Sequence, residues 1–546
     1  MSTSSSSRTL SLHERYASAR RCVNSASVVC VAAILQLDPA QQEDTIQSFD
    51  ALRRHLTQRI DHVLEQFPLL GYCVQASRSK TPRWAPVVPA PTSKDILHVG
   101  TPMFQQGTKS DTSALLSKAI LEEQLALPKT TQLEKGPLWR VQLVPIRTEQ
   151  GDTSSCLLVL ATDHVINDGR GTLNLFQLLL QSSPSSPSHP PTAIAIPPAS
   201  DKIFSFHPSA SYLLGEVWRE LILPKLPFPK KLKAKLKGPE SWPASSPSLA
   251  RKRRHSDLEQ PEVVRTPKEC KPDLELVLVS SPRLISNIKA LSKAHLHPKS
   301  RKPATIHSII HTLSLVALYA AISRSHSSDV SQFKLNLGSA TPISLREEES
   351  PSRKRSKKSP HQPLPVTSGN YVSSFASTYR LSARETFWTF THRFSTSLSS
   401  PRGQRLAKQH MGLLAYIPDF ETKPREEEDQ VESALGGVSE WDGKYRNGWE
   451  KFFGDRASSS APFDSALTEN LSIALSTRPD AFADNQLFQR FKRYLRRLVL
   501  DFAAENVTVE KVKSSQESHQ EKKRIKLDLT QDITFATLVT YLIASE

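Results

Sequence analysis

The segment His164–Gly169, of sequence HVINDG, contains residue types that could perform acid–base chemistry. A histidine ring exchanges protons near neutral pH, because its ordinary pKa is about 6.5. Such a ring can accept a proton from a hydroxyl group and return one to a leaving thiol. His164 is therefore our candidate general base for a group transfer.

A predicted strand precedes this histidine and a predicted helix follows it, and the two would hold it in place. The apolar run Leu157–Ala161 predicts a buried strand that ends just before His164. Asp168 is suited to cap the apolar helix predicted over Gly171–Gln181, and glycines 169 and 171 leave the backbone open to close approach. The alternative is a core histidine followed by a helix cap. The agreement of strand, Asp-Gly pair and helix favours the catalytic interpretation.

Other chemistries have weaker support in the sequence. His307 and His311 are one helical turn apart, but the pair lacks the glutamate of H-E-x-x-H and a third ligand, so we expect no metal site. The signatures of serine hydrolases, P-loop enzymes and dinucleotide-binding enzymes are absent. The 5 cysteines include no C-x-x-C pair, which disfavours a disulfide framework and indicates a reducing compartment.

Strand and helix patterns alternate along both halves of the chain, which predicts an α/β (or α+β) fold with mixed sheets. Short apolar runs or alternating patterns predict strands at Val28–Leu35, Leu138–Val144, Ser155–Thr162, Leu274–Val279, Lys334–Leu337 and Tyr371–Tyr379. Apolar residues three or four apart predict helices at Phe49–Phe67, Tyr212–Leu223, Leu284–Leu296 and Ile306–Ile322.

Changes in composition divide the chain into two predicted subdomains, 1–223 and 273–546. The stretch 224–272 between them is rich in Pro, Lys and Ser and is predicted to be a crossover linker. Polar segments near 347–365, 422–433 and 511–526 are too charged for a core, so we expect them to be surface insertions of the second subdomain.

The formal net charge of +17 resides largely in short basic runs without interleaved aromatic residues. We therefore expect solvated loop charge and no nucleic-acid partner, with weak attraction to a membrane surface as the alternative. These runs are Lys230–Lys237, Arg251–Arg254, Arg353–Lys358 and Lys522–Lys526. The polar serine run at Met1–Ser7 predicts no secretory signal, and the longest uninterrupted apolar run is far below the ~20 residues of a membrane span. We expect a cytoplasmic monomer, or one peripheral on an intracellular membrane.

With these features, the sequence resembles the fungal alcohol O-acetyltransferases, within the chloramphenicol-acetyltransferase-like superfamily that shares the H-x-x-x-D-G motif. The similarity extends over most of the chain, and its motifs occur in the family's order. Besides HVINDG, they are Tyr16–Arg21, Phe67–Leu70, Pro137–Val141, the helix opened by Thr305, and Thr341–Arg346. The plant D-F-G-W-G motif is absent, and the fungal S-N-L-G is represented only by Glu469–Ser472.

The resemblance implies two similar subdomains, each a mixed sheet with helices, with the active-site tunnel between them. It implies acetyl-CoA as co-substrate with no bound cofactor, and a hydroxyl acceptor on an alcohol or on a secondary metabolite such as a glycolipid sugar. His164 would be the base, in a direct attack without an acyl-enzyme.

Supporting roles also follow from the resemblance. Asp168 would pair with Arg346, and Gly169 would keep the channel open. Candidates for binding the oxyanion or the substrate are Ser373, Ser374 and Asn470. Two other functions remain alternatives: a condensation-like protein that uses carrier-protein thioesters, and a non-catalytic binding or nuclear protein that reuses the fold.

Overall fold

The structure of the protein is a computed structural model. It describes residues 7–22, 27–37, 48–79, 81–104, 111–147, 153–181, 196–229, 232, 273–280, 283–326, 334–346, 368–416, 450–453, 470–477, 485–503 and 531–544. The predicted insertions 347–365, 422–433 and 511–526 lie outside these residues, as does nearly all of the predicted linker.

The N-terminal half is built on a mixed five-stranded sheet. Its elements are α1 (Leu12–Cys22), β1 (Val28–Gln36), α2 (Phe49–Gln66), β2 (Tyr72–Gln75), β3 (Arg83–Pro86), α3 (Ser93–Ile96), β4 (Leu97–Val99), β5 (Met103–Phe104), α4 (Asp111–Thr130), β6 (Trp139–Arg147), β7 (Thr153–Asp163), α5 (Gly169–Leu180), α6 (Ser200–Ile203) and α7 (Ala210–Val217). The strand order is β1-β7-β6-β4, with β5 also on β6. The pairings β1–β7 and β7–β6 are antiparallel, whereas β4 and β5 run parallel to β6.

Strand β7 has a continuous apolar sequence because both of its faces are covered. Leu158 and Leu160 belong to the core formed with α2 and α5. Leu157 and Val159 face the other way and pack in a cluster with Ala119 of α4. A half-exposed strand would alternate apolar and polar residues, so the run reflects burial on two sides. The strand that leads to His164 is therefore anchored on both faces.

The C-terminal half contains a helical core and two separate antiparallel pairings. Its elements are β8 (Asp273–Ser280), α8 (Leu284–Ala294), α9 (Ile306–His326), β9 (Lys334–Ser344), β10 (Val372–Ser382), α10 (Phe387–Ser399), α11 (Pro401–Gly412), β11 (Glu450–Phe453), β12 (Asn470–Thr477), α12 (Asn485–Ala503) and α13 (Phe535–Ala544). Strands β9 and β10 form one pair, and β11-β12-β8 form a three-stranded sheet. Among the described strands, parallel pairing is thus confined to the N-terminal half.

Helix α9 is the central element of the C-terminal core and packs against α10, α12 and α13. Its segment Ile306–Arg324 is the one helix among the described residues that is long and apolar enough to cross a membrane, yet 89% of that apolar window is buried within the fold. Burial by neighbouring helices accounts for an apolar sequence on all sides of a helix.

The α/β class is confirmed by this arrangement of sheets and helices. The elements expected from the sequence are present with shifts of a few residues, except that β9 continues through Pro342 to Ser344 because β10 pairs along its whole length. The two halves contact each other along several elements. Helix α4 packs against β1, β7 and also β8, Asn167 forms a parallel bridge with Gly369, and Phe204 and Phe206 cluster with Leu345 and Tyr371.

Candidate active site

His164 lies immediately after β7, at the junction of the two halves. Its backbone N–H donates to the Ser27 carbonyl at 2.7 Å, and its carbonyl accepts a hydrogen bond from Asn370 Nδ2 at 2.9 Å. The same Asn370 nitrogen is 3.3 Å from Nδ1 of the ring. No described residue hydrogen bonds to Nε2, and the side chain is half-buried. Two hydrogen bonds hold the backbone of His164, while Nε2 of its ring has no hydrogen-bond partner among the described residues.

The residue before the histidine forms an ion pair that was not predicted from the sequence. Asp163 is fully buried, and its carboxylate lies 2.6 Å from Arg21 Nε of α1. The other carboxylate oxygen accepts the Val165 N–H at 3.0 Å, inside the turn. Burial raises the pKa of Asp163, and the positive charge of Arg21 opposes that shift. The acidic residue was visible in the sequence, whereas its partner, more than 140 residues away, was not.

Asp168 caps a helix and forms an ion pair at the same time. Its Oδ1 accepts the Gly171 N–H at 2.8 Å, the capping bond of α5. Its Oδ2 lies 3.0 Å from Arg346 Nη2 and accepts the Tyr371 N–H at 2.8 Å. The side chains of Arg346 and Asp168 are 7% and 3% exposed, so the pair is buried. The helix-cap interpretation and the ion-pair interpretation are therefore compatible.

Arg346 connects Asp168 to the segment that precedes β10. Its guanidinium donates to the carbonyls of Ser368 at 3.2 Å and Gly369 at 2.6 Å. It also lies over the Tyr371 ring, 4.9 Å from the centroid. The Tyr371 hydroxyl in turn donates to the Pro198 carbonyl at 2.9 Å, and burial raises its pKa. The arginine thus gathers several backbone segments around the histidine turn.

Gly171, the second glycine after Asp168, lies in a closely filled space. A Cβ on Gly171 would lie 1.9 Å from Asn167 Oδ1 and 2.8 Å from Arg346 Nη2. Only a residue without a side chain fits between them. Gly169, which the resemblance assigns to an open channel, begins α5 and is half-buried. Its role stays a prediction.

The predicted oxyanion candidates occupy different surroundings. Ser373 is 1% exposed, its hydroxyl has no hydrogen-bond partner among the described residues, and its neighbours Tyr371 and Phe375 pack towards α11. Ser374 is half-buried and, by strand alternation, points to the other face of β10. Asn470 begins β12, and its side chain lies outside the described part of the chain. Ser373 and Ser374 are close in sequence to Asn370, which contacts His164.

A second histidine, not predicted from the sequence, lies close enough to His164 to interact with it electrostatically. His13 of α1 is 2% exposed, with Nδ1 3.1 Å from Ser200 Oγ. Its Nε2 is buried without a hydrogen-bond partner among the described residues. Burial is the main cause that lowers the pKa of His13 to about 4, and the nearby His164 contributes to the lowering. His13 is thus uncharged at neutral pH. Its only sequence signal is its position just before Tyr16–Arg21.

The other histidine pair packs in the C-terminal core. The ring of His311 stacks on Phe394 at 3.8 Å between centroids, and its Nε2 lies 2.8 Å from Ser339 Oγ. His307 lies beside the same phenylalanine at 6.0 Å. Within the described ranges, no group of three or more His, Cys, Asp or Glu side chains could hold a metal ion.

Comparisons with known proteins bear on this site. The sequence profile of the alcohol acetyltransferase family matches residues 109–420, more than half of the chain, including His164, Asp168 and Arg346. No curated protein sequence matches the chain.

Several solved structures are similar to this chain at low sequence identity. The X-domain from teicoplanin biosynthesis is 12% identical, with a TM-score of 0.44 and coverage of 92% of this chain and 97% of the X-domain. F. sporotrichioides TRI101, complexed with coenzyme A and T-2, is 12% identical, with a TM-score of 0.44 and coverage of 89% and 97%. Polyketide synthase associated protein 5 from Mycobacterium tuberculosis is 11% identical, with a TM-score of 0.43 and coverage of 91% and 100%.

The family assignment depends on the profile match, which extends over the histidine turn and its arginine partner. The chain belongs to the alcohol acetyltransferase family and is an acyltransferase, as the resemblance implied.

Proposed function

We propose that this acyltransferase moves an acetyl group from acetyl-CoA to a hydroxyl group, with His164 as the general base. The acceptor is an alcohol or a secondary metabolite such as a glycolipid sugar. The observation that carries the proposal is the geometry of His164. Its backbone is held by Ser27 and Asn370, while Nε2 is not engaged by any described residue.

In the proposed reaction, Nε2 of His164 accepts the proton of the acceptor hydroxyl as the oxygen attacks the thioester carbonyl carbon. The tetrahedral intermediate then collapses, the carbon–sulfur bond breaks, and the thiolate takes the proton from the imidazolium. The products are an acetate ester and free CoA, with no acyl-enzyme. Nε2 can act as the base only when the ring hydrogen is on Nδ1. The bond from Asn370 to the His164 carbonyl is the same in either tautomer.

The surrounding residues are proposed to position the base and to stabilise charge. The Asp168–Arg346 pair holds the turn that carries His164. Ser374 is the better placed of the two serines for the oxyanion, because Ser373 lies on the β10 face that packs towards α11. One oxyanion donor typically contributes about 10²–10³-fold in turnover. Ser374→Ala should therefore reduce turnover more than Ser373→Ala does.

The proposal is tested first by His164→Ala. Turnover should fall by about 10²–10⁴-fold, the usual contribution of a general base. The thermal midpoint and CoA binding should stay near wild type, because the ring is half-buried and its backbone bonds remain. Free thiol released from acetyl-CoA in the presence of an alcohol is the measurement.

The control is His98→Ala, which removes an exposed histidine from β4. It should leave turnover unchanged. Near-wild-type turnover in His164→Ala would contradict the mechanism. A screen of acetyl-CoA and an acetylated carrier protein against alcohols and sugars, read by mass spectrometry, separates the donor classes. If no thiol is released from either donor, a non-catalytic protein would be favoured.

A further inference from the structure

Two buried polar atoms near His164 have no hydrogen-bond partner among the described residues. They are Nε2 of His13 and Oδ1 of Asn370, and these two residues are 2% and 3% exposed. A buried polar atom that is left unpaired lowers stability, so such atoms are uncommon in folded proteins and require an explanation. A ligand bound next to the base would supply the missing partners.

The ring of His13 is fixed in a way that leaves Nε2 without a partner. Its Nδ1 lies 3.1 Å from Ser200 Oγ, and its centroid is 4.7 Å from that of the Phe206 ring. Turning the ring to pair Nε2 would break the contact with Ser200. Electrostatic interaction with both His164 and Asp168 places the imidazole near the proposed base. Because the ring is uncharged at neutral pH, it suits an uncharged hydroxyl better than an anionic group.

Asn370 brings an unpaired oxygen to the same histidine turn. Its Nδ2 donates to the His164 carbonyl at 2.9 Å and lies 3.3 Å from Nδ1 of the ring. With the amide nitrogen held there, Oδ1 is an acceptor without a donor among the described residues. A hydroxyl group can donate to Oδ1 of Asn370. It can also donate to or accept from Nε2 of His13, according to the tautomer of that ring.

A simple alcohol does not provide enough polar groups for these atoms. Its one hydroxyl is used in the proposed reaction, in which it gives its proton to Nε2 of His164. An aliphatic alcohol would therefore bind and still leave the atoms of His13 and Asn370 unpaired. An acceptor with hydroxyl groups on neighbouring carbons can supply partners while it presents one hydroxyl to the base.

We propose that His13 and Asn370 bind a second hydroxyl of the acceptor, so that the substrate is a polyol, such as a sugar, and not a simple alcohol. The inference rests on the proposed function and narrows its acceptor to one chemical class. A site that hydrogen bonds a substrate hydroxyl discriminates strongly against the analogue that lacks it, because the polar groups of the site are then left unpaired. His13 is thus a residue that sets acceptor specificity.

The test compares vicinal cyclohexanediol with cyclohexanol, because the two compounds differ by one hydroxyl. With acetyl-CoA and the full-length protein, kcat/KM from thiol release should be at least about tenfold higher for the diol. This comparison uses the wild-type protein and needs no variant. Equal kcat/KM for the two acceptors would overturn the proposal.

Two substitutions of His13 separate the roles of its ring nitrogens. Asparagine places its amide near the position of Nδ1, and glutamine places its amide near that of Nε2. His13→Asn should lower kcat/KM for the diol by roughly tenfold and leave that for cyclohexanol almost unchanged. His13→Gln should retain more of the preference for the diol. His98→Asn, at an exposed site on β4, is the control and should leave the preference unchanged.

Binding is also measured without turnover. Calorimetry with the His164→Ala protein and no acetyl-CoA should show tighter binding of the diol than of cyclohexanol, and the additional change His13→Asn should remove the difference. This result does not depend on acetyl transfer, so the inference and the proposed function fail separately. Thermal unfolding checks that each variant is folded. A loss of stability in His13→Asn with the same relative change in kcat/KM for both acceptors would make His13 a structural residue and overturn the proposal.

Discussion

At the scale of single residues, the site depends on side chains with more than one contact. Asp168 accepts hydrogen bonds from the Gly171 N–H of α5, from the Tyr371 N–H just before β10 and from the Arg346 guanidinium. Asn370 holds the His164 carbonyl and lies beside the ring. Gly171 leaves the space in which Asn167 and Arg346 approach each other. Small changes at these positions should therefore affect both the turn and His164, the proposed base.

Gly171→Ala should destabilise the protein and lower turnover. The added methyl group would meet Asn167 Oδ1 and Arg346 Nη2 at distances that force one of them to move. Overpacking of this kind typically costs about 1–3 kcal/mol. The free energy of unfolding by denaturant and the rate of thiol release are the measurements.

Gly215→Ala is the matched control, because a Cβ there meets nothing within 4 Å. In helix α7 the change from glycine should be neutral or stabilising by up to about 1 kcal/mol. If both alanine variants unfold at the same denaturant concentration as wild type, the close approach at Gly171 has no energetic consequence.

At the scale of elements, the turn between β7 and α5 is fixed by segments distant in sequence. Helix α1 supplies Arg21 for Asp163, and Arg346 after β9 supplies the partner of Asp168. The Asn167–Gly369 bridge ties the turn to the segment before β10. Both carboxylates are buried, so the attraction of the neighbouring arginine offsets the cost of removing each from water. Loss of either arginine would leave a buried charge uncompensated.

Asp168→Ala and Arg346→Ala should each lose stability and activity together. Removing one member of a buried ion pair typically costs about 3–5 kcal/mol, because the other charge is left uncompensated. The double variant should be less damaged than the sum of the two, by a coupling of about 0.5–3 kcal/mol. Denaturant unfolding of all four proteins measures this coupling. Additive effects would argue that Asp168 acts only as a helix cap.

Conservative changes at the same pair separate charge from capping. Asp168→Asn keeps an oxygen for the Gly171 N–H but removes the negative charge beside Arg346. It should lose less stability than Asp168→Ala. Arg346→Lys should retain only part of the wild-type turnover. Lysine cannot reproduce the planar guanidinium that also donates to the Ser368 and Gly369 carbonyls.

At the scale of the whole molecule, His13 and His410 connect stability to pH because their pKa values are lowered. Burial lowers the pKa of both His13 and His410 to about 4. The unfolded chain then binds more protons than the folded protein between about pH 6.5 and pH 4. The free energy of unfolding is therefore highest above about pH 6.5 and decreases as the pH falls through this range. His13 links α1 to Ser200 of α6, so protonation would disturb the packing of both elements.

His13→Asn should make the unfolding free energy less dependent on pH between about 6.5 and 4. The shift at His13 corresponds to about 3 kcal/mol across that range, at about 1.36 kcal/mol per pKa unit. His410 remains in the variant, so part of the slope should persist. Urea unfolding at half-unit pH steps measures the effect. His98→Asn, at an exposed site, is the control, and an unchanged slope in His13→Asn would contradict the prediction.

Deletion of Arg353–Lys358 should leave turnover and the unfolding midpoint almost unchanged. The run is part of a polar stretch without apolar residues to form a core, and it lies outside the described residues. Thiol release and thermal unfolding are compared with wild type. Loss of nucleic-acid binding with a steep salt dependence on this deletion would favour a nucleic-acid-binding function.

From sequence alone, the strand, turn and helix around His164 could be predicted because their signals are local. A strand buried on two faces needs a continuous apolar run, and a helix needs a cap and an apolar stripe. The run into His164, the cap at Asp168 and α5 were found in this way. The pairing of Asp168 with Arg346 was expected mainly from the family resemblance, and partly because Arg346 ends the otherwise uncharged segment Leu335–Leu345; short local patterns do not identify a partner 178 residues away.

The tertiary structure was needed for contacts that join distant segments. It brings Arg21 to Asp163, Asn370 to His164, and His13 to Ser200. It also shows that Gly171 lies against Asn167 and Arg346, and that Ser373 is buried. These contacts depend on how distant segments pack, both within the N-terminal half and between the two halves. Packing of that kind follows from the sum of many long-range contacts, which no short stretch of sequence records.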